Sequence, residues 1–141
     1  MIDIKKDPIK VFLILNILGG ENMPLVKVNM IKGKSSEYKK AVLDCIHDGL
    51  IESIGIEDWD RFQRIVEIPR DDFETAPEKT DDFMIIELTL FPGRTKEQKG
   101  DAIKGITSRL SNSLGIAPTD VFIVINESPL ENWGMGGVQK G

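Results

Sequence analysis

A proline stands directly behind an internal methionine at Met23-Pro24, ahead of the apolar stretch Leu25-Val26-Lys27-Val28. Proline is tolerated at the first residue of a strand, so Pro24 can be a strand start and nothing more. It acquires chemistry if Met23 is the true first residue and is removed. A terminal proline is a secondary amine that can take up a proton; a proline inside the chain is an amide that cannot. Two other reactive residue types occur once each, as Cys45 and His47. Cys45 falls among the apolar positions of a helical pattern and reads as core. A lone cysteine also excludes an internal disulfide and a cysteine metal cluster. His47 falls off that apolar stripe, so it is expected in solvent, and by itself it builds no multi-histidine metal site. These residues imply no metal and no cofactor.

The 141 residues suffice for one domain with a core. A charged fraction of 29% and an apolar fraction of 40% fit a globular chain. The net charge of −5 argues against a nucleic-acid partner, which needs a basic face. It also means that an anionic substrate must be held by a few placed cations. Residues 1–22 differ from the rest. Their apolar run, Ile9 to Leu18, is too short to span a bilayer, and Gly19-Gly20-Glu21-Asn22-Met23 offers no small-residue cleavage site. Those five residues can instead be encoded by a purine-rich stretch like a bacterial ribosome-binding site. Residues 1–22 are therefore expected to be an upstream extension from a mis-called start, or a leader, with a single domain over 24–141. No membrane partner and a cytoplasmic location are expected.

The elements that would position Pro24 repeat. A strand at about 25–31 leads through Gly33 into a helix over 36–54, closed by Gly55, and then a strand from Phe62 to Ile68. An acidic connection from Pro69 to Asp82 follows and is expected to be solvated. The pattern restarts with a strand from Phe83 to Phe91, a helix over 96–114, Gly115, and a strand from Val121 to Asn126. Setting residues 33–67 against 93–127 needs no gap. The identical pairs include Gly33/Gly93, Glu37/Glu97, Lys39/Lys99, Leu50/Leu110, Gly55/Gly115, Asp60/Asp120 and Phe62/Phe122. The fold class is α/β (α+β): tandem duplicated β-α-β units, about 24–68 and 83–127, each with parallel strands. Two such units can form a ferredoxin-like sandwich or a pseudo-two-fold four-stranded sheet with two helices on one face. Either leaves one sheet face open, so self-association is expected. Gly134-Met135-Gly136-Gly137 has no helix after it and reads as a flexible tail, not a nucleotide loop.

Met-Pro at a strand start, Asp60-Arg61-Phe62-Gln63, Gly93-Arg94-Thr95-Lys96-Glu97-Gln98-Lys99 and Asn132-Trp133 together resemble the tautomerase superfamily, and within it the malonate semialdehyde decarboxylase-like branch. The resemblance runs from Pro24 to about Gly137. It implies a tautomerase-like sheet, a homotrimer, and Pro24 as catalytic base or acid. It also implies catalytic roles for Arg94 and Asp60, and a pocket wall or subunit contact for Trp133. The physical logic agrees. A cation such as Arg94 lowers the amine's pKa and can pair with a substrate carboxylate. Its repeat partner Lys34 is also a cation, and Asp120 repeats Asp60, so both positions can equally be structural.

One departure bears on the reaction. The decarboxylase and dehalogenase members carry two arginines around the proline at the second unit's strand end, and here the stretch reads Phe91-Pro92-Gly93-Arg94. Phe91 takes the first arginine's place, beside the substrate. The resemblance then implies a cofactor-independent keto–enol tautomerase for a small anionic carbonyl substrate, a 2-oxo acid, with Arg94, Phe91 and Trp133 as binding residues. The alternatives are a malonate semialdehyde decarboxylase or hydratase, and a non-catalytic oligomeric binding module of ferredoxin-like fold.

Overall fold

The computed structural model describes residues 23–141; the expected extension 1–22 lies outside the described residues. The elements run β1 (Leu25–Ile31), α1 (Ser36–Ile54), β2 (Phe62–Ile68), β3 (Met84–Leu90), α2 (Lys96–Leu114), β4 (Val121–Glu127), β5 (Gly134–Met135) and β6 (Val138–Gln139). Both helices begin on a hydroxyl cap. Ser35 Oγ accepts from the Tyr38 N–H at 3.1 Å. Thr95 accepts from the Gln98 N–H at 3.1 Å while Gln98 Oε1 accepts from the Thr95 N–H at 2.9 Å. No helix among the described residues is long and apolar enough to cross a membrane.

The main sheet has the order β2-β1-β3-β4. β1 and β2 are parallel, as are β3 and β4, and the two units meet through the antiparallel pair β1–β3. A ferredoxin-like sandwich would interleave the units, with β4 beside β1 and β2 beside β3 in an all-antiparallel sheet; here each unit's own strands are neighbours and parallel, so that alternative is excluded. Alternation along the strands points Val26, Val28, Met30, Met84, Ile86, Leu88 and Leu90 to one face, where Val42, Ile46 and Leu50 of α1 and Ala102, Ile106 and Leu110 of α2 cover them. The helices approach so closely at Gly49 that a Cβ there would meet Ile106 Cγ1 at 2.7 Å. The opposite sheet face is bare. It carries Leu25, Lys27, Asn29, Arg64, Val66, Ile85, Glu87, Phe122 and Val124, with Lys27 3.8 Å and Asn29 Nδ2 2.8 Å from the central Glu87.

Three expectations are corrected. His47 is fully buried, because residues 55–61 fold back over its flank of α1, and its Nε2–H donates to the Asp58 carbonyl at 2.8 Å. Helical spacing does not register a covering made by a later loop. The acidic connection is not wholly solvated: Phe73 is buried against Ile31 and Phe83. The glycine-rich end is a hairpin, not a loose tail, since Gly136 and Gly137 turn it with φ of 61° and 81°. Cys45 is buried as expected, and burial pushes its thiol up, away from the reactive thiolate.

Candidate active site

The topology decides which loops share an end of the sheet. β1 and β2 begin where β3 and β4 finish, because Leu25 pairs with both Phe62 and Thr89, and Leu90 with Glu127. Pro24, Asp60, Phe91, Arg94 and Trp133, each a few residues outside a strand terminus, therefore gather at one end. Pro24 is buried. Met23 before it is also buried, in a cluster with Phe91, Trp133, Met135 and Val138. Phe91 and Trp133 meet edge to face with centroids 4.6 Å apart. Trp133 is held by its indole N–H, which donates to the Ser128 carbonyl at 3.0 Å. Lys140 Nζ lies 5.1 Å from the Phe91 ring centroid.

Asp60 is 3% exposed, and its Oδ1 has no hydrogen-bond partner among the described residues. Burial, with the Glu57 carboxylate adding to it, pushes Asp60 up to about 6. Asp120, its repeat partner, is as buried but satisfied: it accepts from the Thr80 N–H at 3.0 Å and from Thr80 Oγ1 at 2.6 Å. Asp120 is thus a turn-builder, whereas Asp60 keeps an uncommitted oxygen.

Arg94 is half-buried on the turn before Thr95. That turn is anchored by Glu127, which bonds Lys99. The Lys99 hydrogen bond holds the Glu127 carboxyl below its usual range, with the Gly93 N–H and the Arg94 charge acting in the same direction. Glu67 and Lys39 make the same pair at 2.7 Å in the first unit, so this anchoring belongs to the repeat. Lys34, the repeat partner of Arg94, is bound by Asp82 at 2.5 Å. The contacts join Met23, Phe91 and Trp133 directly; Asp60 and Arg94 reach the same end through the topology. The sequence reading missed Met135, Val138 and Lys140, although Gly136-Gly137 between Met135 and Val138 is a hairpin signal.

The chain matches the tautomerase enzyme family over residues 60–136 and again over residues 24–81. It belongs to the tautomerase family. Among curated relatives, the probable tautomerase YusQ of Bacillus subtilis (strain 168) is 33% identical over 119 residues, covering 81% of this chain and 94% of the relative. Among solved structures, FG41 malonate semialdehyde decarboxylase inhibited by 3-bromopropiolate is 30% identical with a TM-score of 0.72, covering 78% of this chain and 87% of that one. A fused 4-OT solved as a symmetric trimer is 26% identical with a TM-score of 0.73, covering 82% and 95%. The tautomerase fold, with its two β-α-β units and mixed four-stranded sheet, and a tautomerase-type enzyme are what these likenesses support.

Proposed function

We propose that the chain is a cofactor-independent keto–enol tautomerase for a small 2-oxo acid, working through the amino group of Pro24 once residues 1–23 are absent. The observation that carries this reading is the burial of Met23 against Phe91 and Trp133. Removing Met23 would bare the proline nitrogen and empty an aromatic-walled space beside it in one event. In that space the amine is partly desolvated and stands at the same end as the Arg94 cation; both effects disfavour its protonated form and bring a secondary amine toward neutrality. Arg94 pairs with the substrate carboxylate. Pro24 takes the proton from C3, the C–H electron pair becomes the C2–C3 double bond, and the carbonyl pair moves onto oxygen. Asp60, titrating at about 6, shares a proton with that oxygen. Return of the proton to carbon from Pro24 completes the reverse direction.

A decarboxylase or hydratase is the second reading, favoured by the uncommitted Asp60 oxygen, which suits positioning a water. Phe91 weighs against it, because an apolar ring occupies a place where those enzymes carry a cation. A homotrimer is proposed as well. Phe122 is 58% exposed on the bare sheet face beside Val124 and Val66, and three such faces meeting around an axis would cover them.

Two measurements test the enzyme reading. Intact mass of protein made from the native gene should correspond to a chain starting at Pro24, and that chain should catalyse enol–keto exchange of phenylpyruvate. Equal activity in a chain that retains residues 1–23 would remove proline from the mechanism.

A further inference from the structure

We propose that His47 is a positioning residue for Asp60: from α1 it holds the loop before β2, so that the Asp60 carboxylate is left free to meet the substrate oxygen. This rests on the role given to Asp60 above and names what keeps that aspartate in place.

Among the described residues, three side-chain ties join residues 58–63 to one flank of α1. The His47 Nε2–H donates to the Asp58 carbonyl at 2.8 Å, with Asp58 Oδ1 3.7 Å away. Arg61 donates to Asp44 at 2.6 Å, and Gln63 Nε2 donates to the Leu43 carbonyl at 3.0 Å. Leu43 and Asp44 lie one turn before His47, on the same flank of the helix. The three ties differ in weight. Arg61 and Asp44 both stand half in solvent, where an ion pair contributes little. Gln63 already belongs to β2. His47 is fully buried, and its Nδ1 has no partner among the described residues, so the bond to Asp58 is what the ring is there to make. Inside the loop the Asp60 N–H donates to the Glu57 carbonyl at 3.0 Å, and the Arg61 N–H to the Trp59 carbonyl at 2.9 Å. Asp58 and Asp60 therefore share one closed turn, and a shift of one carries the other.

None of these ties belongs to the repeat. Thr107 stands in place of His47, Pro118 of Asp58, Val121 of Arg61 and Ile123 of Gln63. The Thr107 hydroxyl bonds the Ile103 carbonyl within its own helix at 2.7 Å. Both loops close on the same backbone bond, from the aspartate N–H to the carbonyl three residues back. The loop before β4 is then held from the connection between the units. Lys79 donates to the Thr119 carbonyl at 2.8 Å, and Asp120 itself is the tie to Thr80. In that loop the aspartate is consumed in holding the chain. In the first loop a histidine does the holding, and the buried aspartate keeps an oxygen uncommitted. Fixed backbone with a free carboxylate is what a group that must meet a substrate at a set distance requires.

The test uses protein starting at Pro24, with phenylpyruvate as substrate. His47→Met removes the donor, whereas His47→Gln keeps an N–H near the place of Nε2. His47→Met should lower kcat about tenfold with KM within about twofold, as for a catalytic group moved by a fraction of an ångström. His47→Gln should restore most of that loss. In a chain already carrying Asp60→Asn, His47→Met should cost less than about twofold more. Equal losses in the two backgrounds overturn the inference and leave the proline mechanism intact, because His47 then acts on the fold at large. Should His47→Met not fold, His47→Asn takes its place, since the shorter amide falls short of the Asp58 carbonyl. If Asp60→Asn leaves turnover unchanged, or no chain is active, the role of Asp60 or of Pro24 fails. Carbon-13 NMR titration of the Asp60 carboxyl then decides whether His47 holds Asp60. A midpoint that falls from about 6 in His47→Met, as water reaches a loosened loop, supports the assignment; an unmoved midpoint refutes it.

Discussion

The two ends of the sheet are copies of one design, and the proposed function puts them to different uses. At one end Met23, Phe91 and Trp133 cluster; at the other Phe83, Ile31 and Phe73 do, each sixty residues from its counterpart. Phe73 and Phe83 meet edge to face at 5.7 Å, as Phe91 and Trp133 do at 4.6 Å. Yet β3 is entered by continuous chain through Phe83 and Met84, while β1 is entered through Met23 and Pro24. If residues 1–23 are lost as proposed, the first end loses its plug, whereas the second cannot, because Phe83 is joined to the first unit. The difference teaches that the repeat supplies the scaffold, and the point of chain entry decides which end can acquire an amine.

The sharpest way to break this comparison is to close the first end permanently. A chain that keeps residues 1–23 should lose about 10²- to 10⁴-fold in turnover of phenylpyruvate relative to one starting at Pro24, the usual contribution of a general base. Steady-state kinetics on the two proteins settles it, and near-equal rates would erase the functional distinction between the ends.

Truncating the aromatics comes next. Phe73→Ala, at the closed end, should cost about 3–5 kcal/mol of stability in urea unfolding, as for a buried ring. Trp133→Ala should cost less, since the ring is only partly buried, and should instead depress kcat/KM. Equal stability losses with no kinetic effect would make the two ends the same kind of core.

The paired cations give a third contrast. Arg94→Ala should lower kcat/KM for a 2-oxo acid about tenfold to a hundredfold, the loss of a charge-assisted bond of about 1.5–3 kcal/mol. Lys34→Ala should leave kcat/KM within about twofold, because its partner Asp82 is an ordinary ion pair. If both substitutions impair turnover alike, Arg94 is structural.

The smallest effect separates the two aspartates. Asp60 has its folded pKa raised from 3.8 to about 6, so the folded chain binds the proton more tightly than the unfolded one. Its cost is absent below pH 4 and complete above pH 6, so stability falls across that window as pH rises, by about 2 kcal/mol. Asp60→Asn should flatten that slope. Asp120→Asn should lower stability by about 1 kcal/mol at pH 7.5, through the weakened bonds to Thr80. Urea midpoints at pH 4.5 and 7.5 for both variants would show an identical response if the two carboxylates were equivalent.

Much of this was legible in the residues because the repeat writes the same local signals twice. The glycines closing the helices and the alternation of the strands are local, and they fell where the pattern put them. The difference between Asp60 and Asp120 was not legible, because it depends on Thr80, forty residues from Asp120 and beyond the span in which the repeat shows as identities. Which sheet face meets the helices was equally hidden, since Val26-Lys27-Val28 alternates whichever way it is turned; the register puts Val26 and Val28 inward and Lys27 outward. The burial of His47 comes from chain returning over an earlier element, which periodicity does not encode.

The sheet also ends in two unequal borders. β2 breaks its apolar run with Gln63, Arg64 and Glu67, whereas β4 reads Val121-Phe122-Ile123-Val124-Ile125 without a charge. A border strand with five successive apolar, mostly β-branched residues and one unpaired edge is a template for adding further strands. Whatever covers Phe122 and Val124 therefore also protects the protein from precipitating. Dilution or mild acid that separates the subunits of the proposed trimer should then produce turbidity rather than a lasting population of dissolved single chains, and Val124→Lys should trade assembly for solubility.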